Sequence, residues 1–296
     1  MEPHHEHHHE ISSLNKAFLW GIALNAIFVV VEYSAAAFWS NSLGLFSDAS
    51  HNLGDLASLI LAMLAFRLAK VHPNSSYTYG YKKSTVLVSL LNAMILLIAV
   101  GIIVAESIGK LFHPKPVEGS AIAIVAGVGV IINALTAWLF MKDKDKDLNV
   151  KGAFLHMAAD ALVSVGVVVS GIVIYNTGLY IIDPIIGLII AAIIVYSTWD
   201  LLHDSIRLSL DGVPEGKNLP EIKQRILSVP GVLDVHHLHI WALSTTETAL
   251  TAHVVIKDCS QMEAIKQTIK NDLAKDDIHH ATIEIEMPGL HCPDCC

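Results

Sequence analysis

Two pairs of ionisable residues with the same spacing occur in a chain that is otherwise rich in apolar residues. His51 and Asp55 lie in the stretch HNLGD, and His156 and Asp160 lie in the stretch HMAAD. Residues four apart on an α-helix share one face. If both stretches are helical, two such helices packed side by side can direct two imidazoles and two carboxylates towards one point.

Two imidazole nitrogens and two carboxylate oxygens form a ligand set suited to zinc. Zinc in proteins is usually four-coordinate and is bound by His, Cys, Asp or Glu. This set has no sulfur ligand, which argues against copper(I), and its two imidazoles disfavour magnesium and manganese. A single His–Asp pair is also typical of a packing hydrogen bond, but the same pair repeated in two segments favours a metal site.

The segments that carry these pairs belong to long apolar windows. The chain is 53% hydrophobic and 16% charged. A helix needs about 20 apolar residues to cross the hydrocarbon core, and ionisable residues inside such helices are rare and usually functional. Six windows are near that length and predict membrane-spanning helices: Ala17–Trp39, Ser42–Phe66, Ser84–Val104, Ala121–Met141, Ala153–Tyr175 and Tyr180–Trp199.

Lysine and arginine near the ends of these windows indicate the orientation, because they accumulate on the cytoplasmic side. The second and fourth connections carry them: Arg67, Lys70, Lys82, Lys83, Lys142, Lys144, Lys146 and Lys151. Six spans then place both termini in the cytoplasm of a protein of the cell membrane.

After Trp199 the sequence becomes more polar and predicts a small α+β domain. Its patterns follow the order helix, strand, strand, helix, strand, with Asn218 as a helix cap and Pro230 and Gly231 ending the first helix. The chain therefore divides into a His-rich cytoplasmic leader at 1–16, an all-α six-helix transmembrane domain at 17–204, the cytoplasmic domain at 205–288 and a Cys-rich tail at 289–296.

Both ends of the chain carry further candidate metal ligands. The leader MEPHHEHHHE is expected to be disordered, and either captures metal or is an expression tag. The tail HCPDCC contains His291, Cys292 and Cys295, and its Cys-x-x-Cys spacing is a half-site for zinc. A redox dithiol is the alternative, although no thioredoxin-like βαβ pattern precedes it.

Several longer motifs resemble the cation diffusion facilitator family of divalent-metal exporters. They are SLGLFSDASHNLGD, YTYGYKK, LNVKGAFLHMAADALVSVGV, DPIIG and VHHLHIWALS. The paired His-x-x-x-Asp pattern resembles the zinc-transporting branch of that family. The resemblance implies a homodimer, a ferredoxin-like cytoplasmic domain, and metal–proton antiport by alternating access.

The resemblance also implies a cytoplasmic metal site. His236, His253 and Glu286 match positions that bind metal in some members, with solvated or hydrogen-bonding histidines as the alternative. Some relatives carry Asp and His ligands between the second and third spans. This chain has only His72 there, so no metal site is expected in that loop.

Other polar residues in the apolar windows have structural or functional alternatives. Glu32 is either a proton relay or an interfacial residue, and Asp183 is expected to cap the sixth span. Asp48 could orient the ring of His51. Three asparagines are expected to form hydrogen bonds between helices: Asn25, Asn92 and Asn133.

These features predict a secondary transporter rather than an enzyme. It would export zinc, with cadmium and cobalt as further substrates, in exchange for protons. No Gly-x-x-x-x-Gly-Lys motif indicates a nucleotide and no basic stripe indicates nucleic acid, so the lipid bilayer and a second copy are the expected partners. A membrane metal sensor, a metal uniporter and an intramembrane metallohydrolase are the alternatives, and the last lacks a His-Glu-x-x-His motif.

Overall fold

A computed structural model describes the backbone at residues 6–35, 43–112, 120–179 and 181–289. Within those ranges the side chains of 6–15, 35, 43–51, 120–126, 167, 170, 171, 174, 175 and 183 are not described. The chain divides into two compact units, one formed by 1–68 and 87–202 and the other by 69–86 and 203–296.

Six long helices precede the polar part of the chain. They are α1 (Glu6–Ala35), α2 (Leu43–Leu68), α3 (Ser84–Phe112), α4 (Ser120–Met141), α5 (Leu148–Thr177) and α6 (Ile182–Ser209). Each overlaps one of the six predicted windows. α5 starts where the Asp147 carboxylate accepts hydrogen bonds from the backbone N–H groups of Asn149 and Val150, as a helix N-cap does.

Three of these helices are long and apolar enough to cross a membrane over their described residues. They contain Lys16–Ser34 in α1, Ser84–Phe112 in α3 and Pro184–Ser209 in α6. α4 has a shorter apolar stretch, Gly127–Met141, because its first residues are not among the described side chains. The expectation of six spans is therefore confirmed for three helices.

Two apolar clusters hold the six helices together. In the first, Phe18 of α1 packs against Phe140 of α4 with ring centroids 4.9 Å apart, and helices α2 and α5 complete it. The second joins α3, α5 and α6 through residues such as Leu96, Ala159 and Ile194. Helix α5 belongs to both clusters, so its residues lie between them.

The second unit contains a three-stranded sheet and two helices. Helix α7 (Leu219–Leu227) precedes β1 (Val232–Ala242) and β2 (Thr248–Ile256), and a 3₁₀ turn, α8 (Met262–Ala274) and β3 (His280–Glu286) follow. The strand order is β1-β2-β3, with β1 antiparallel and β3 parallel to β2. The predicted order of helices and strands is the observed order.

The apolar side chains of α7 and α8 form the core of this domain against the sheet. Ile222 and Ile226 of α7 and Ile265, Ile269 and Leu273 of α8 are buried. The i, i+4 spacing of these residues gives each helix one apolar stripe, which burial against the strands removes from water. The pattern is that of an α+β domain.

The segment between α2 and α3 packs within this second unit. Lys82 Nζ lies 2.5 Å from Glu247 Oε2, and Lys83 Nζ lies 2.5 Å from Asp211 Oδ1. Lys83 also donates to the backbone carbonyl of Ala242 at 2.9 Å. Lys82 and Lys83, which are among the basic residues that indicate the orientation, are therefore also ion-pair partners of the domain that follows α6.

Two side chains cap helices in the second unit. The side-chain Oδ1 of Asn218 accepts a hydrogen bond from the backbone N–H of Glu221, and the side-chain Nδ2 of Asn218 donates to the Glu221 carboxylate at 2.8 Å. Asp258 caps the 3₁₀ turn. The pKa of its carboxyl is lowered because the backbone N–H of Ser260, and then its hydroxyl, bond to the charged form.

Replacing Asn218 by Ala should lower the free energy of unfolding of residues 205–288 by about 1 kcal/mol, because the first turn of α7 loses its cap. Asn218→Asp keeps a capping oxygen and is the matched control. Urea unfolding followed by the fluorescence of Trp241 measures both. Equal midpoints for the Ala and Asp variants would show that the cap does not stabilise the domain.

Candidate metal centres

Three of the four residues predicted to bind metal in the helical unit lie together. Asp55 is on α2, and His156 and Asp160 are on α5. His156 Nε2 is 2.7 Å from Asp55 Oδ1 and 3.7 Å from Asp160 Oδ2. One ligand atom from each residue lies within 4.8 Å of the other two.

These distances suit one small cation. Zinc bonds of about 2.0–2.2 Å in a tetrahedron place neighbouring ligand atoms about 3.3 Å apart. The Asp55–His156 distance of 2.7 Å is that of a hydrogen bond, so those two atoms must separate slightly when an ion binds. Proton and metal therefore compete for the same nitrogen and oxygen.

Burial makes this grouping energetically significant. The side chains of His156, Asp55 and Asp160 are 7%, 5% and 15% exposed. Two carboxylates and one imidazole carry negative charge at neutral pH unless they bind protons or a cation, and burial of that charge is unfavourable. A divalent cation supplies the opposite charge and satisfies the oxygens as ligands.

The packing around the centre sets the separation of α2 and α5. Leu59 and Ala62 of α2 lie one and two turns beyond Asp55, and they contact the same cluster as Ala153 and Met157 of α5. All four are almost fully buried. Two alanines at this contact let the helices approach closely enough for Asp55 to reach His156.

His51 is the remaining predicted ligand, and its side chain lies outside the described residues. Its backbone is part of α2, one turn before Asp55. The side chains of Asp48 and Asp183 are also outside the described set. The roles expected for these three residues remain predictions.

Glu32 is inside the helical unit rather than at its edge. It is 0% exposed, and Asn52 of α2 donates to its Oε2 at 2.7 Å. Asn52 is the residue after His51, so this bond connects α1 to the turn of α2 that carries the predicted ligands. Asn52 is not one of the predicted ligands, and its polar side chain within HNLGD is the feature of the sequence that indicates it.

The three asparagines expected to join helices differ in their contacts. Asn25 of α1 donates to Thr136 of α4 at 3.1 Å, as expected. The side-chain oxygens of Asn92 and Asn133 are buried and have no hydrogen-bond partner among the described residues. The expectation is therefore wrong for those two oxygens, because no donor from a described neighbouring helix reaches them.

A second group of candidate ligands lies on the sheet. His236 of β1 is paired in register with His253 of β2, and His253 Nδ1 is 2.6 Å from Glu286 Oε1. His236 Nε2 is 3.2 Å from Glu286 Oε2, and the three residues are half-buried. His253 Nε2 also lies 3.5 Å from Glu284. Ligand atoms of His236, His253 and Glu286 lie within 4.8 Å of one another, which fits a three-residue cation site.

A bulge in β1 changes the side of the sheet on which His237 lies. Simple alternation along a regular strand predicts His236 on one side and His237 and His239 on the other. The pairing of β1 with β2 shifts between His236 and His239, and His237 has φ 46°. Its ring centroid is 5.1 Å from that of His253. The bulge therefore adds a third imidazole beside the cluster, which the period of a regular strand does not predict.

The tail ligands His291, Cys292 and Cys295 lie outside the described residues. Within the described part, Cys259 is a free, exposed thiol whose sulfur is 3.1 Å from that of Met287. The zinc half-site expected in the tail therefore remains a prediction.

Two family models match successive parts of the chain. Residues 19–208 match the family model of the cation efflux transmembrane domain. Residues 214–288 match the model of the cation efflux protein cytoplasmic domain. Together the two matches cover both candidate metal centres.

Three curated relatives are similar to the chain over nearly its whole length. Zinc transporter ZitB of Escherichia coli K12 is 34% identical, over 98% of this chain and 95% of the relative. The "Cadmium, cobalt and zinc/H(+)-K(+) antiporter" of Bacillus subtilis 168 is 32% identical, over 95% and 91%. Metal cation efflux system protein CzcD of Cupriavidus metallidurans CH34 is 35% identical, over 96% and 90%.

The resemblance found in the sequence motifs is thus confirmed by matches to both domains and to full-length relatives. The chain is a membrane protein with apolar helices long enough to span, followed by a cytoplasmic domain with helices and a three-stranded sheet. It belongs to the cation efflux, or cation diffusion facilitator, family of transporters.

Proposed function

We propose that this protein exports zinc from the cytoplasm by secondary active transport in exchange for protons, with cadmium and cobalt as further substrates. The observation that carries the proposal is the convergence of Asp55, His156 and Asp160 from two helices of the apolar unit. Zinc, cadmium and cobalt appear in the names of relatives that are more than 30% identical, and one of those names also includes protons.

The transport site in this proposal has four ligands. His51 lies one turn before Asp55 on α2, at the same spacing as His156 and Asp160 on α5, and completes the set. Two nitrogens and two oxygens satisfy a tetrahedral ion without a further donor. The two imidazoles favour zinc and cadmium over manganese, which prefers oxygen ligands.

The proposed architecture is six spans at 17–204 and a ferredoxin-like domain at 205–288, with the leader at 1–16 and the tail at 289–296. Both termini lie in the cytoplasm of a homodimer in the cell membrane. The apolar stretches in α1, α3 and α6 and the Lys- and Arg-rich connections support this arrangement. Exposed apolar side chains such as Trp138, Ile98 and Tyr196 fit contact with lipid or a second copy.

Protons are the natural exchange partner because the ligands must lose them to bind metal. An unperturbed imidazole titrates near pH 6.5, so it changes charge close to neutral pH. When the site faces an acidic exterior, protons compete with zinc and favour its release. When it faces the cytoplasm, loss of those protons restores zinc binding, and the cycle moves protons inwards as zinc leaves.

The centre on the sheet is proposed to regulate transport. His236, His253 and Glu286 belong to the cytoplasmic domain, so they are not on the path across the apolar helices. Zinc bound there changes the transport rate only if it binds one conformation better than another. His291, Cys292 and Cys295 of the tail are further proposed ligands for cytoplasmic zinc.

Zinc should bind residues 205–288 more than about tenfold more weakly after His253→Ala, because loss of a ligand costs at least as much as loss of an outer hydrogen bond, typically 10–100-fold. His279→Ala removes an exposed histidine outside the cluster and is the control. Isothermal titration calorimetry measures both. Equal affinities for the two variants would exclude His253 as a ligand.

Asp160→Ala should abolish zinc flux in reconstituted vesicles, since the site then has three ligands and no spare donor. Asp200→Ala, which removes an exposed carboxylate of α6, should leave the flux near that of the unmodified protein. A zinc-sensitive dye inside the vesicles reports the flux, and size-exclusion chromatography checks folding. Normal flux in a well-folded Asp160→Ala protein would remove this residue from the site.

An imposed gradient with the acidic side opposite the zinc source should speed zinc movement, and collapse of the gradient should slow it. The reason is proton competition at the release side. A zinc dye and a pH dye recorded in the same vesicles test this. Zinc movement without an opposing proton signal would favour a uniporter, and zinc binding without any movement would favour a metal sensor.

A further inference from the structure

Several buried polar side chains in the helical unit have atoms without hydrogen-bond partners among the described residues, and three of them lie on α3, α5 and α6. They are Asn92 of α3, Asn149 of α5 and Thr198 of α6, which are 3%, 0% and 0% exposed. The unpartnered atoms are Oδ1 of Asn92, both side-chain polar atoms of Asn149 and the hydroxyl oxygen of Thr198. Burial of each such atom in an apolar interior is unfavourable, because the hydrogen bond that it makes with water in the unfolded chain is lost.

Asn92 faces the part of α5 that leads to the metal centre. A Cβ atom added to Gly152 would lie 3.5 Å from the Cβ of Asn92 and 3.5 Å from Cδ2 of Leu201 on α6. Gly152 is three residues after Asn149 and four before His156, so these three share one face of α5. The side chain of Asn92 therefore lies against that face, between the levels of Asn149 and His156.

Thr198 extends the same polar strip along α6. It precedes Leu201 by three residues, which places both on one face of that helix. Leu201 contacts α5 at Gly152, so Thr198 lies about one turn away on the same side. We call the strip formed by Asn92, Asn149 and Thr198 the polar seam. It runs between α3, α5 and α6 from the start of α5 towards His156.

The neighbouring residues show that the seam is not an ordinary apolar contact. Ala93 follows Asn92 and Val150 follows Asn149, and both are 0% exposed within apolar clusters. Buried polar groups without protein partners in native proteins are usually satisfied by ordered water. Water in the seam would remove the cost of every unpartnered atom at once.

We propose that Asn92, Asn149 and Thr198 line a hydrated seam through which a divalent cation reaches His156 and Asp160. Amide and hydroxyl oxygens accept hydrogen bonds from the water molecules of a hydrated ion, or contact it directly. They are uncharged, so they bind the ion more weakly than the two carboxylates do and let it pass on. The route rests on the proposed transport function, while the hydration of the seam stands without it.

A thiolate placed in the seam tests the route with cadmium as the probe. The background is full-length protein with Cys259, Cys292, Cys295 and Cys296 replaced by Ser, so that no native thiol remains. Asn92→Cys should give an ultraviolet sulfur-to-cadmium charge-transfer band when Cd²⁺ is added in detergent. Ala93→Cys, the next residue and equally buried, should give none because its thiol faces an apolar cluster.

A second pair of cysteine variants tests the same proposal if a variant of the first pair does not fold. Asn149→Cys should give the band and Val150→Cys should not. A seam cysteine without a band, or equal bands at both members of a folded pair, would overturn the proposal. The measurement is made at equilibrium and needs no transport. A cadmium band in a protein that shows no zinc flux would therefore contradict the proposed export and support the hydrated seam. Zinc flux without a cadmium band would support export and contradict the seam.

Discussion

The burial of Asp55 and Asp160 beside His156 is the constraint on which the helical unit depends. Carboxylates in an apolar interior are unfavourable unless protons or cations balance them. The distance of 2.7 Å between Asp55 and His156 joins α2 to α5 at that point. Packing in the apolar cluster holds the two helices at this separation, and so sets the distance between Asp55 and His156. The residues at this contact are Leu59, Ala62, Ala153 and Met157.

Helix α5 connects the functional features because it belongs to both apolar clusters. One side of it packs with α1, α2 and α4, and the other packs with α3 and α6. His156 and Asp160 lie between these contacts, and Asn149 lies two turns before His156 on the same face. A change in the packing of α5 against either cluster therefore changes the geometry of the centre relative to Asp55 or to Asn92.

The sequence was informative where a regular period decides the outcome. The i, i+4 spacing of the two His–Asp pairs indicated a shared helical face, and alternation with turn signals predicted the helix and strand order of the cytoplasmic domain. It was not informative where one local irregularity decides. The extra residue in β1 moves His237 towards His253, and no period encodes such a bulge. The Glu32–Asn52 bond, and the lack of a partner for Oδ1 of Asn92 among the described residues, depend on which helices are neighbours, which one sequence does not state.

X-ray absorption at the zinc edge can establish whether Asp55, His156 and Asp160 bind zinc together with His51, because it counts and identifies the atoms around the ion. The suitable protein lacks residues 1–10, carries Ser at its four cysteines and Ala at His236 and His253, and holds one equivalent of zinc. We expect four nitrogen or oxygen ligands at about 2.0–2.2 Å. We also expect the imidazole scattering to fall by half in His156→Ala, because one of the two imidazoles is lost. A six-coordinate shell of oxygens, or imidazole scattering that is unchanged in that variant, would contradict it.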